Sequence, residues 1–283
     1  MTAIDALITG LIDYAGLYPP ASLDMKAAVR NYLEYSHSAH SRTLGRFVVD
    51  LDRLPSLLDA TSNNVSAMKL SGVATHLADW NELHRLVGQG FAIDAVEIKG
   101  ALTGEIGRIA MHVPPGIDIY FEVPMDPPPA MLDAVATAGA RVKIRTGGTA
   151  AEFFPSTQRL AQMLAELASR HLIFKATAGL HHPFRGRFAL TCADGSPTAV
   201  MHGFMNLATS AALLHFGGDA REAQLVLEEE WAGTWQITDD AIFWEENSWS
   251  ADELREVRQQ FFAAFGSCSF TQPVQELEAL RWL

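Results

Sequence analysis

From residue 46 onward the chain repeats one unit: a short apolar run that takes on charge at its end, followed by a helix-like segment. The runs fall at 46–50, 65–70, 91–99, 117–124, 141–145 and 172–177, a spacing of about 25–30 residues between most of them. Strands alternating with helices at this spacing predict right-handed βαβ units in a parallel sheet. Both open doubly wound sheets and closed barrels put their chemistry at the carboxyl ends of the strands. Charges at the ends of four or five successive strands favour the barrel, which converges them on one centre. The expectation is an α/β fold, a (β/α)8 TIM-type barrel over 1–283 as one domain, with an elaborated C-terminal third and an insertion or lid-like region at about 183–250.

The helix-like segments follow from local signals. Ser22 or Asp24 is placed to cap a helix to about 38, Pro127-Pro-Pro129 opens one over 130–137, and Pro155 or Ser156 opens one to about 170. Residues 3–12 read as a short helix or a first strand, and Asp13-Tyr-Ala-Gly-Leu-Tyr-Pro-Pro20 reads as a rigid loop, either a structural turn or one wall of a pocket through Tyr14. Beyond His182 the rhythm loosens. Helices are expected at about 200–216, 220–231, 251–265 and 273–280, with 233–249 a strand or lid and 266–270 the last strand or its exit. Trp231, Trp235, Trp244 and Trp249 form either a satellite core or an oligomer interface, so a homo-oligomer is one expectation.

Composition bounds the function. A net charge of −12 without a basic run argues against nucleic acid as the main partner. No run of about 18 apolar residues is present, so no membrane span is expected. The N-terminal residues lack a basic region and carry Asp5, unlike a secretory signal, and Cys192 and Cys268 are too few for a disulfide framework. These features predict a cytoplasmic protein with a small-molecule substrate.

The lysines sharpen this reading. Of the five, Lys26, Lys69, Lys99, Lys143 and Lys175, four lie in strand-like stretches, although lysine is among the residues least often buried. Strand alternation groups Glu97 with Lys99, Tyr120 with Glu122, Lys143 with Arg145 and Lys175 with Thr177 on shared faces. Lys143 and Lys175 are one βα unit apart and would sit on adjacent strands. A neighbouring cation or desolvation eases loss of a proton from an ammonium, and a neutral amine attacks a carbonyl to give a Schiff base. The alternative is a structural ion network in which both lysines pair with Glu97 and Glu122. Both descriptions can hold in one active site.

Ala138-Gly-Ala-Arg-Val-Lys-Ile-Arg-Thr-Gly-Gly148, followed by Phe174-Lys-Ala-Thr-Ala-Gly179, resembles the class I aldolases of the deoxyribose-phosphate aldolase type. That family has a Lys-x-x-Thr-Gly segment carrying the Schiff-base lysine and a Lys-Ala-x-Gly-Gly segment whose lysine perturbs the first. The resemblance covers roughly 115–180. It implies Lys143 as the Schiff-base lysine, Lys175 as its partner and Glu122 as a nearby carboxylate. His181-His182-Pro183 departs from the family's glycine-rich turn, and 183–265 has no counterpart, so the resemblance assigns neither phosphate binding nor substrate.

The catalytic set expected is therefore Lys143, Lys175, Glu97, Glu122, His181 and His182, with Glu97 or Glu122 and His181 or His182 as the proton carriers. Lys99, Arg145, Thr177, Lys69, Tyr14, His202 and Asn206 are expected to bind substrate, which is a small and potentially anionic carbonyl compound. No cofactor is implied. Two alternatives stay open: a divalent-metal enzyme using His181 or His182 with His202 and Glu122, and a non-catalytic anion-binding or scaffold barrel. Thr146-Gly-Gly148 and Gly266-Ser-Cys-Ser269 read as tight turns whose N–H groups could also hold an anion.

Overall fold

Buried parallel strands need apolar residues on both faces, and the runs Ile93–Lys99 and Arg141–Arg145 are buried through their middles with charge retained at the ends. In the computed structural model, which describes residues 1–61, 65, 68–191 and 193–283, eight such strands close a barrel. They are β1 (Ile12–Tyr14), β2 (Leu44–Asp50), β3 (Leu70–Thr75), β4 (Ile93–Lys99), β5 (Asp118–Glu122), β6 (Arg141–Arg145), β7 (Phe174–Thr177) and, after five further short strands, β13 (Phe262–Ser267). All neighbours pair in parallel, and β1 closes the ring between β2 and β13. The fold is a (β/α)8 TIM-type barrel.

The helices are α1 (Ala3–Ile8), α2 (Met25–Ser36), α3 (Leu54–Ala60), α4 (Trp80–Gly88), α5 (Ile106–His112), α6 (Pro129–Thr137), α7 (Thr157–Ser169), α8 (Phe204–His215), α9 (Ala220–Glu228), α10 (Ala251–Gln260) and α11 (Thr271–Ala279). Of the two caps proposed for α2, Asp24 serves: its carboxylate accepts from Ala27 N at 2.8 Å. Ser156 caps α7 and Asp219 caps α9 in the same way. No helix among the described residues is long and apolar enough to cross a membrane.

Three elements differ from the sequence reading. Asp13 and Tyr14 belong to β1 rather than to a loop. The helix expected over 251–265 stops at Gln260, and the last barrel strand is Phe262–Ser267; the aromatic run Phe261-Phe262 enters the core, where Phe174 stacks on Phe262 at 5.1 Å. The strand expected at 65–70 begins at Leu70, and of that stretch Ser66 and Ala67 lie outside the described residues, as does Cys192.

The segment 183–250 holds two further sheets besides α8 and α9. A hairpin of β8 (Gly186–Ala189) and β9 (Thr198–Met201) follows β7. A three-stranded antiparallel sheet, β10 (Trp235–Ile237), β11 (Ala241–Trp244) and β12 (Asn247–Ser250), packs against α1 and α10. Trp235, Trp244 and Trp249 are buried in the main core, whereas Trp231 is exposed. The Trp235 indole N–H donates to Thr209 Oγ1 at 3.0 Å, which satisfies its polar edge.

Candidate active site

Parallel registry sets the centre. β5 places Glu122 opposite Lys143 of β6, and β6 places Lys143 opposite Lys175 of β7. From β4, Glu97 reaches both lysines: Oε1 accepts a hydrogen bond from Lys175 Nζ at 2.6 Å, and Oε2 lies 2.7 Å from Lys143 Nζ. Lys143 Nζ is also 3.0 Å from Glu122 Oε2, and Lys175 donates to Asp13 Oδ2 at 2.5 Å. Ser71 Oγ donates to Glu97 Oε1 at 2.7 Å, and the Arg46 backbone N–H donates to Asp13 Oδ1 at 2.7 Å. Lys175 Nζ also sits 5.5 Å from the centre of the Tyr120 ring.

Lys143, Lys175, Glu97 and Asp13 are each no more than 3% exposed. Buried charges persist only when paired, and the pairing here is complete enough to invert the effect of burial. Burial alone would raise the Glu97 carboxyl; the ammoniums of Lys143 and Lys175 outweigh it and hold Glu97 well below the usual carboxylate range. Burial alone would lower Lys175; Asp13 and then Glu97 outweigh it and hold its ammonium above the ordinary lysine value. Glu122 is likewise lowered, burial being overcome by Lys143 and Arg145.

Above this floor opens a pocket of about 250 Å³ at the carboxyl ends of the strands, lined by Lys143, Lys175 and Glu97 below and by Lys99, Arg145 and Thr177 at the strand ends. Ala15, Tyr18, Pro19 and Pro20 form one wall, and Leu190 and Met201 from the β8–β9 hairpin reach it from the other direction. The loops after β6 and β7 close on each other. Thr146 Oγ1 donates to Ala178 O at 2.8 Å, and a Cβ on Gly147 would meet Gly179 Cα at 2.9 Å. Gly179 has φ +77°, a left-handed conformation that suits glycine.

The two adjacent histidines separate, as alternation along an extended chain requires. His181 lines the pocket, with Nδ1 3.2 Å from Ser267 Oγ. Burial and the neighbouring His182 push it down to about 4, so it is a neutral imidazole near pH 7. His182 turns away: its Nδ1 is 2.7 Å from Glu276 Oε1 and its ring stacks on Phe188.

Four expected substrate contacts also lie off the pocket. Lys69 precedes β3, at the opposite end of that strand from the pocket, and is exposed. Tyr14 alternates outward from Asp13, so its ring packs between Tyr35 and Phe47. His202 is buried with Nε2 2.8 Å from Pro155 O. Asn206 is a clamp: its Oδ1 accepts from Arg185 N, and its Nδ2 donates to Val226 O and Glu229 O. His181, His182 and His202 thus have separate partners, and no group of three or more His, Cys, Asp or Glu among the described residues could hold a metal ion.

Ser71 belongs to the site without having been singled out in the sequence, and Asp13, Tyr18 and Ser267 entered it only as members of the stretches 13–20 and 266–269. Asp13 carried a signal, an acid set directly after the apolar Leu11-Ile12. Ser71 carried none beyond its place on a strand.

No protein-family model matches the chain, and no curated protein matches it. Solved structures that are similar include deoxyribose phosphate aldolase from Aeropyrum pernix, with a TM-score of 0.41 and 16% identity, covering 63% of this chain and 80% of that one. A monomeric dihydrodipicolinate synthase variant gives 0.37 and 13%, covering 78% and 79%. The spore cortex-lytic enzyme SleL of Bacillus megaterium QM B1551 gives 0.41 and 10%, covering 91% and 70%. Likenesses this distant carry no functional argument, and the fold rests on the strand order.

Proposed function

We propose that the barrel forms an imine between Lys143 and a small carbonyl substrate and uses it for lyase-type carbon–carbon chemistry of the class I aldolase kind. The observation that carries this reading is the pair of lysines side by side on β6 and β7, sharing Glu97 at the floor of a pocket. The resemblance of residues 138–148 and 174–179 to the deoxyribose-phosphate aldolase motifs supports the same assignment of the two lysines.

The two lysines differ in a way that divides the labour. Lys175 is held by two almost fully buried carboxylates and stays an ammonium. It is a fixed positive charge next to the reacting nitrogen. Lys143 shares Glu97, and its second carboxylate, Glu122, is partly open and already shared with Arg145 at 3.4 Å. Lys143 gives a proton through Glu122, which relays it to the carbonyl oxygen, and its neutral amine attacks the carbonyl carbon. A C–N bond forms as the C=O π electrons move to oxygen. Loss of that oxygen as water, with two protons that began on the Lys143 ammonium, leaves a protonated imine. The balance is ammonium plus carbonyl giving iminium plus water, so the local charge is unchanged. The iminium then accepts the electron pair of an adjacent C–C or C–H bond, and neutral His181 is the group in the pocket suited to carry the proton.

The full pairing of both lysines supports one other reading, a barrel whose ion network is structural and whose pocket only binds anions. Borohydride reduction in the presence of a panel of small aldehydes and ketones separates the two. Imine chemistry gives a reduced adduct on Lys143 and none on the exposed Lys26. Labelling of Lys26 alone, or no labelling, overturns it in favour of the structural network.

A further inference from the structure

The pocket's positive charges are not all used by the ion network at its floor. Among the described residues four cations line it: Lys99, Lys143, Arg145 and Lys175. The carboxylates within 4 Å of any of them among the described residues are Asp13, Glu97 and Glu122, so four against three leaves one positive charge in excess. The excess is localised. Lys143 and Lys175 each have two carboxylate neighbours, whereas Arg145 has Glu122 alone, at 3.4 Å, and Lys99 has none among the described residues. The Lys99 ammonium instead lies 5.5 Å from the centre of the Tyr18 ring. Asp50, whose charge falls on the Tyr18 hydroxyl, pairs within 4 Å with none of these four cations.

Lys99 and Arg145 stand two residues beyond Glu97 and Lys143 on the same strands, and two residues along a strand return to the same face. They therefore lie on the pocket side, directly above the proposed nucleophile and its carboxylate. A group held between them would lie on the side of the pocket from which a substrate carbon meets Lys143. A guanidinium and an ammonium together favour an oxyanion, with Arg145 able to present two N–H groups to one carboxylate. A single charge in excess suits a monoanion. A phosphate dianion would overcompensate it and lie close to Glu122.

We infer that Lys99 and Arg145 form the seat for the carboxylate of a 2-oxo acid whose keto carbon is presented to Lys143. The inference rests on the imine reading and gives it a substrate class. Loss of a C–C or C–H bond next to the iminium carbon is then assisted by a carboxylate already neutralised by these two cations, so the developing enamine carries no uncompensated negative charge.

The test is borohydride trapping with three probes, pyruvate, acetone and dihydroxyacetone phosphate, each titrated, with the Lys143 adduct quantified by peptide mass spectrometry. The expected result is half-labelling by pyruvate at a concentration at least tenfold below that for acetone. In Arg145→Gln and in Lys99→Met the pyruvate-to-acetone ratio falls toward one, and because it is a ratio within one protein sample it is insensitive to a loss of folded material. Equal trapping of pyruvate and acetone by the unaltered protein, or tightest trapping of the phosphorylated ketone, overturns the carboxylate seat and leaves the imine reading standing. No adduct with any probe overturns the imine reading. The seat is then judged by calorimetry with L-lactate, which has the carboxylate and no carbonyl: binding that disappears in Arg145→Gln upholds it, and no binding overturns it.

Discussion

Glu97 Oε1 lies 2.6 Å from Lys175 Nζ while its Oε2 lies 2.7 Å from Lys143 Nζ, so one carboxylate holds both lysines of the pocket floor. Neither lysine can change its charge without altering what Glu97 offers the other. The carboxylate is also fixed from β3 by Ser71, which leaves it little freedom to follow either partner.

Glu97→Gln keeps the side-chain shape and removes the charge that both ammoniums face. Breaking a buried ion pair from one side costs about 3–5 kcal/mol, because a charge is left uncompensated. A loss of that size is expected in urea unfolding. Adding Lys143→Met should recover part of it by removing one of the two ammoniums that have lost Glu97 and keep a single carboxylate each, a positive coupling measurable in a double-mutant cycle. Independent, additive effects would show that the shared carboxylate is not the link between them.

Asp13 is what keeps Lys175 a cation most strongly, ahead of Glu97. Asp13→Asn leaves Lys175 buried with one carboxylate, and burial then acts with less opposition to favour the neutral amine. Under borohydride trapping the unaltered protein should be labelled on Lys143, and Asp13→Asn on Lys175 as well. Labelling confined to Lys143 in both proteins would mean that Asp13 does not set the reactivity of Lys175.

The lysine pair was legible because a lysine inside an apolar run violates the usual burial pattern, and Lys143 and Lys175 do so on consecutive runs. Asp13 was hidden because β1 is three residues long and runs straight into Tyr14-Ala-Gly and the prolines, whose turn chemistry dominates the local pattern. The closing strand was hidden for the opposite reason: nothing between Gln260 and Phe261 breaks a helix, so the periodicity of α10 reads on through residues that tertiary packing makes a strand. Lys69 looked equivalent to Lys99 and Lys143, but it precedes its strand where they end theirs or lie within it, and registry at that level is a property of the closed sheet. His202 and Asn206 show that a polar residue in an apolar helix entry can be a structural clamp; their partners, Pro155 O for one and Arg185 N, Val226 O and Glu229 O for the other, are assigned only by the folded chain.

His202 makes stability depend on pH. Its ring donates from Nε2 to a carbonyl, is 1% exposed, and is pushed by burial from 6.5 down to about 4. A depressed value in the folded state means that the unfolded chain takes up the proton first. The contribution is fully present above pH 6.5 and is lost as pH falls from 6.5 toward 4. The loss is roughly 2 kcal/mol between pH 7.5 and pH 5. His181, also pushed down to about 4, adds a loss over the same range, whereas Glu97 and Glu122 lose their contributions only as pH falls below the ordinary carboxylate value of 4.5. His202→Gln should therefore be less stable than the unaltered protein at pH 7.5 and show a smaller further drop at pH 5. An equal drop in both, measured from urea midpoints, would assign the acid sensitivity elsewhere.

Arg258 ties the chain's first barrel strand to its last. From α10 its guanidinium donates to Phe262 O at 2.9 Å and Ala263 O at 2.5 Å on β13, and to Leu7 O, Thr9 O and Gly10 O in the approach to β1. These carbonyls lie at the amino-terminal ends of the two strands that close the barrel, away from the pocket. Burial pulls this arginine down to about 10 against the more distant Asp13 charge, and the groups it touches are backbone carbonyls. Arg258→Lys keeps the charge but replaces a planar fork of five donors by three on one nitrogen, which cannot span both strands. The carbonyls left without a donor should cost about 2–3 kcal/mol in urea unfolding. Carbonyl trapping at Lys143 in the folded variant should be unaffected. Stability equal to that of the unaltered protein would mean that water replaces the guanidinium at the seam, and a changed trapping yield would mean that strain at one end of the barrel is transmitted to the other.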